Sequence, residues 1–108
     1  MPFTVRLTHG ARADLRSIHA YIAKHDSQES ADYVAGEILR TVTTLQKFPQ
    51  RGSFPPELLE VEIRAYRQVL FKPYRIIYRI SEETVYVIVI ADGRRDLNSL
   101  LLRRLHES

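Results

Sequence analysis

The chain has 108 residues, 44% of them apolar, with a formal net charge of +3 and a pI near 9.4. Such a length and composition fit one globular domain with a small core and exclude a disordered chain. No run approaches the ~20 apolar residues of a membrane span, the opening MPFTVRLTHG lacks a signal peptide's apolar stretch, and no cysteine is present for disulfides, thiolate catalysis or a zinc ribbon, so a soluble, cytoplasmic protein is expected.

Phe3 to Leu7 alternates, with Phe3, Val5 and Leu7 apolar against Thr4 and Arg6, which predicts a short edge strand. Thr8 then stands where it would cap a helix whose Ala11, Leu15, Ile18 and Ile22 form one apolar stripe, with Arg12, Arg16 and Lys24 off it. KHDSQES interrupts the pattern. Asp26 or Ser27 is placed to cap a second helix, and Glu29, three residues after Asp26, would complete a capping box. Ala31, Val34, Ile38, Val42 and Leu45 carry its apolar face on to Phe48. The connection is short and both stripes need burial, so the pair is expected to form an antiparallel hairpin. FPQRGSFPPE ends it: Pro49 forbids further regular helix, Gly52 permits unusual backbone angles, and Pro55-Pro56 stiffens the exit.

Three strands are predicted next, at about Ile63 to Phe71, Tyr74 to Ile80 and Thr84 to Ala91, the last two joined by a polar SEE turn into an antiparallel meander. TVYVIVIA is apolar at both parities, the pattern of a strand covered on two faces. The hairpin supplies one cover. The other is either a short helix carrying Leu97, Leu100, Leu101 and Leu105, or another protein. The predicted fold class is therefore α+β: an N-terminal edge strand, an antiparallel helical hairpin packed on a mostly antiparallel three- to four-stranded sheet, and a short C-terminal helix, all in one domain.

Of the 16 basic residues only Lys24, Lys47 and Lys72 are not arginine. Arginine's planar donor fork suits phosphate and carboxylate, although a compositional bias toward soluble arginine explains the count equally well. Within YRIIYRI, Arg75 and Arg79 oppose Tyr74, Ile76, Tyr78 and Ile80, and ADGRRD adds Arg94 and Arg95 at the end of the neighbouring strand. If these guanidinium groups converge, they repel unless Asp92, Asp96 or an external anion balances them. The competing arrangement has Arg94 and Arg95 paired with those aspartates and the strand arginines lying flat over their neighbours. His9, His19, His25 and His106 are scattered without metal-ligand spacing, and no phosphate loop, dinucleotide turn or nucleophile elbow occurs, so neither a metal nor a cofactor is expected. Glu57, Glu60 and Glu62 read as a solvated acidic loop. A basic nucleic-acid-binding regulator would need exposed aromatic rings beside the cations, and Tyr74 and Tyr78 share a face with isoleucines.

ARADLRSIHAYI at Ala11 to Ile22, LQKFPQRG at Leu45 to Gly52, PYRIIYRI at Pro73 to Ile80 and the closing VIVIADGRRDL together resemble the RelE/ParE toxins of bacterial type II toxin-antitoxin pairs. The wording is closer to the ParE-like subgroup, with a departure at Asp92, where that subgroup often has histidine. The resemblance implies a toxin neutralised by a cognate, usually acidic antitoxin, inhibiting growth by binding a target, with DNA gyrase the expected one. It implies Arg67, Arg75, Arg79, Arg94 and Arg95 as target or antitoxin contacts. Grooves bordered by Ile18, Ile22, Leu97, Leu101 and Arg75 would be covered by the antitoxin, within a possible higher toxin-antitoxin oligomer. The alternative is a RelE-like ribonuclease that cleaves mRNA on the ribosome. Arg75 and Arg95 then match two phosphate-stabilising arginines, but Tyr66 and Gln68 stand where that subgroup has lysines and Leu101 where it has a tyrosine. Tyr66 would be the remaining acid or base, and a phenol near pKa ~10 is a poor base at neutral pH.

Overall fold

A computed structural model describes residues 2–107. In chain order it contains strand β1 (Thr4–Leu7), helices α1 (His9–His25) and α2 (Gln28–Thr43), a 3-10 turn (Thr44–Gln46), a short helix α3 (Pro56–Leu59), strands β2 (Tyr66–Phe71), β3 (Tyr74–Ser81) and β4 (Thr84–Asp92), and helix α4 (Asn98–Glu107). The strands form one sheet in the order β1-β4-β3-β2, with β1 parallel to β4 and the other pairs antiparallel. The predicted α+β architecture is the observed one. Two boundaries differ: β2 starts at Tyr66 and not at Ile63, and a short helix, α3, begins at the second residue of the double proline; of the two expected caps, Ser27 caps α2 by accepting from the Ser30 N–H, while Asp26 closes α1.

Both faces of the sheet are covered. On one, Ala11 of α1 and Ile38 and Val42 of α2, followed by Leu45, pack on Ile76, Tyr78, Val85, Val87 and Ile90. On the other, Leu58 of α3, Leu97, and Leu100 and Leu101 of α4 pack on Ile77, Ile88, Val89 and Ala91. A register shift explains why β4 is apolar at both parities. Ile77 faces Val89 and Tyr78 faces Val87, so Ile88 has no partner on β3 and the alternation inverts across it. Val85 and Val87 face the hairpin before the bulge, and Ile90 faces it after. The second cover is thus the chain's own α4, in which each fully buried leucine contributes about 1.5–3 kcal/mol.

The LQKFPQRG stretch leaves the helix in an unexpected direction. The 3-10 turn tightens the end of α2, and Phe48, which the helical stripe assigned to the apolar face, stands 63% exposed. Beneath it the turn is anchored to the core. The buried Tyr78 hydroxyl donates to the Pro49 carbonyl at 2.6 Å and accepts the Gly52 N–H at 3.1 Å, and burial raises the phenol's pKa, so it stays a protonated donor. Ser53 and Gln68 exchange backbone hydrogen bonds alongside. A Cβ on Gly52 would meet the Gln68 carbonyl oxygen at 2.5 Å and the Tyr78 hydroxyl at 2.7 Å. Gly52→Ala is therefore expected to destabilise by about 1–3 kcal/mol, read as a lower melting temperature; an unshifted melt would contradict this anchoring.

Candidate functional site

The arginines of the sheet and the following turn do not converge. Arg75 lies across from Ala91 at the end of β3, whereas Arg79 lies across from Tyr86, four residues or about 13 Å away along the strand. There Arg79 lies flat over the Tyr86 ring, 4.4 Å from its centroid. Arg67 is also elsewhere, donating to the Gln50 and Gly52 carbonyls and stacking on Phe54. Tyr66 faces Arg79 and packs at the border of the α3/α4 cluster, again about 13 Å along the sheet from the Arg75 row.

Arg75 is committed to Glu57, a residue of the stretch expected to be a solvated acidic loop. Its two terminal nitrogens donate to both oxygens of Glu57 at 2.6 and 2.7 Å, and its Nε donates to Gln68 Oε1 at 2.8 Å. Only 12% of its side chain and 22% of Glu57's remain exposed. The expected solvated acidic loop therefore supplies the counter-charge. No spacing rule reveals it, because Glu57 and Arg75 are brought together by α3 folding back over the sheet. The hydrogen bond from Arg75 depresses the Glu57 pKa.

A cleft of about 470 Å³ lies between α1, the end of β4 and α4. Its apolar floor and walls come from Ile18, Ile22, Tyr21, Tyr74, Ile90 and Leu100, and its rim from Arg94, Arg95, Arg103, Arg104, Asp14 and Asp92. Two of the four cations are neutralised in place. Arg94 forks onto Asp92 at 2.6 and 2.9 Å, and Arg104 forks onto Asp14, with one contact at 2.7 Å. Arg95 and Arg103 have no carboxylate within reach among the described residues. The cleft thus combines an apolar interior with two unbalanced positive charges. Of the groove residues implied by the sequence, Ile18 and Ile22 line it, while Leu97 and Leu101 are 1% exposed and belong to the core. Helical phase explains the exchange: Leu101 points into the sheet and its neighbour Leu100 reaches the cleft as well. Arg75 lies outside this cleft.

The Asp92 and Glu57 carboxylates set an acid limit. The side-chain hydrogen bond from Arg94 holds Asp92 at about 2, with the Arg94 N–H adding to the effect. A depressed folded-state pKa contributes stability above the ordinary carboxylate value near ~4, lost as pH falls through the depressed one. Melting temperature is expected to drop between about pH 4 and pH 2, and Asp92→Asn to flatten part of that drop. An unchanged profile in Asp92→Asn would contradict the assignment.

No curated protein sequence matches the chain. Among solved structures, the chromosomal ParDE TA system from P. aeruginosa superposes with a TM-score of 0.70 at 21% identity, covering 83% of this chain and 95% of that one. The toxin-antitoxin complex RelBE2 from Mycobacterium tuberculosis superposes with a TM-score of 0.63 at 23% identity, covering 85% and 99%. At these identities the likeness establishes the fold. The family model of the ParE toxin of the type II toxin-antitoxin system parDE matches residues 5–97, from the second residue of β1 to the leucine that precedes α4. The chain belongs to the ParE toxin family of type II toxin-antitoxin systems.

Proposed function

We propose that this toxin acts by binding its target, with DNA gyrase the expected one, and that a cognate acidic antitoxin neutralises it by occupying the cleft between α1 and α4. The observation that carries the target half is the state of Arg75. A phosphate-stabilising arginine must be free to meet developing charge. Here both terminal nitrogens are held by Glu57, and Tyr66, the acid or base that the RelE-like resemblance leaves, sits at the far end of the same strand pair. Protein-binding inhibition needs no such constellation. A cleaving enzyme does.

The cleft supports the antitoxin half. An amphipathic segment can bury its apolar side against Ile18, Ile22 and Leu100 and set carboxylates against Arg95 and Arg103, the two arginines of the cleft without a carboxylate partner among the described residues. Reversing their charge in Arg95→Glu/Arg103→Glu is expected to weaken the antitoxin complex at least tenfold by titration calorimetry while leaving the melting temperature of the free toxin within a few degrees. An unaltered affinity would remove the cleft from the antitoxin interface.

A further inference from the structure

We propose that the groove at the C-terminal end of α2 binds a single-stranded nucleic acid segment, with Phe48 as a stacking platform and Lys47 and Arg51 as phosphate contacts. This groove, about 570 Å³, lies apart from the cleft described above and shares no residue with it. Arg40, Lys47 and Arg51 line it together with Thr43, Thr44 and Phe48. No carboxylate lines it among the described residues. Glu37 pairs with Arg40 at 3.2 Å, leaving Lys47 and Arg51 without an acidic partner there. Sequence reading gave no exposed ring beside basic residues. The structure provides one, because Phe48 leaves the helical stripe, stands 63% exposed and lines the same groove as Lys47 and Arg51.

Preorganisation separates this patch from a chance cluster of surface charge. The backbone beneath Phe48 and Arg51 is fixed by three tethers of unequal sequence distance. Tyr78 bonds both Pro49 and Gly52 from within the core, Arg67 donates to the Gln50 and Gly52 carbonyls, and Gln68 pairs with Ser53. Arg51 itself is oriented by donating to the Thr44 hydroxyl at 2.7 Å. A loop carrying exposed side chains is thus held rigidly by buried ones, an arrangement that lowers the ordering cost when a ligand docks. Cations spaced around an exposed aromatic ring match a sugar-phosphate chain with an unstacked base. An acidic protein segment would satisfy the charges but would leave the ring without a planar partner.

The chain contains no tryptophan, so Phe48→Trp gives a direct reporter of stacking. Purified full-length protein would be titrated with fluorescein-labelled oligo-dT, oligo-rU and a duplex of equal length, following anisotropy; unlabelled strands would be added to the Phe48→Trp protein to follow its indole emission. Expected are tighter binding of the single strands than of the duplex, quenching in the Phe48→Trp protein, and a loss of about fivefold or more in Phe48→Ala. Lys47→Gln/Arg51→Gln should lower the slope of log affinity against log salt by about 1.4, whereas the charge-matched Arg12→Gln/Arg16→Gln control on α1 should leave it near the parent value. The two single strands decide between DNA and RNA as the source of the segment. Equal losses in both double variants, equal binding of the duplex, competition by poly-glutamate at matched charge, or unquenched indole emission would each overturn the proposal. These readouts do not use toxicity, so they stand or fall separately from the gyrase assignment.

Discussion

Asp14→Ala is expected to lower folding stability by about 3–5 kcal/mol, the largest effect of any single substitution outside the apolar core. The reason lies in how β4 is closed along its β1 side. β1 ends at Leu7, opposite Val87, and the Thr8 N–H takes the Val87 carbonyl as the chain turns into α1. Beyond that point β4 has no strand neighbour on this side, and side chains replace one. Asp14 Oδ2 accepts the Ile90 N–H at 2.9 Å, and Arg104 donates to the Ile88 carbonyl at 2.9 Å while forking onto the same carboxylate. Each side chain is only 14% exposed. Removing the carboxylate strands a largely buried guanidinium and orphans a backbone N–H, and it releases α4, which carries Arg104. Arginine is too basic to escape by losing its proton, so the stranded group stays charged. Urea unfolding checks the figure. A loss below about 1 kcal/mol, the range of surface pairs, would mean that the pair is not the clamp described here.

Glu57→Ala is expected to cost about 2–3 kcal/mol, less than the Asp14 variant because 22% of the Glu57 side chain is solvent-exposed. It would leave Arg75, 12% exposed, with Gln68 as its remaining side-chain partner. This substitution also separates two views of Arg75. If the arginine is part of a binding surface braced by Glu57, the neutral pair Glu57→Gln/Arg75→Gln restores much of the stability and retains growth inhibition. If it stabilises phosphate in a cleavage reaction, the double variant is inert however well it folds. Urea titration and growth curves under an inducible promoter provide the two readouts.

Most of the fold was legible because periodicity reports burial directly. The stripe from Ala11 to Ile18, the alternation in YRIIYRI and the two-sided apolarity of TVYVIVIA each correspond to an observed surface of the core, and Ile22 carries the stripe on into the cleft. Where sequence reading failed, a local device had changed the phase. The 3-10 turn swings Phe48 outward, and the helical phase of α4 exchanges Leu101 for Leu100 at the cleft. The site was less legible for a different reason. Arginine spacing places Arg75 and Arg79 on one face of β3, but it does not say that four residues of rise separate their guanidinium groups. Nor does it pair Glu57 with Arg75 or Asp14 with Arg104, contacts between residues 18 and 90 positions apart that only tertiary structure creates.

Inhibition by binding and inhibition by cutting RNA leave different products. The most direct measurement puts purified, antitoxin-free protein into two reconstituted reactions at the same concentrations: gyrase supercoiling with detection of trapped cleaved DNA, and mRNA cleavage on programmed ribosomes. Trapped cleavage complexes and intact mRNA are expected. Ribosome-dependent mRNA cuts, abolished by Arg75→Gln in a folded protein, would contradict inhibition by binding.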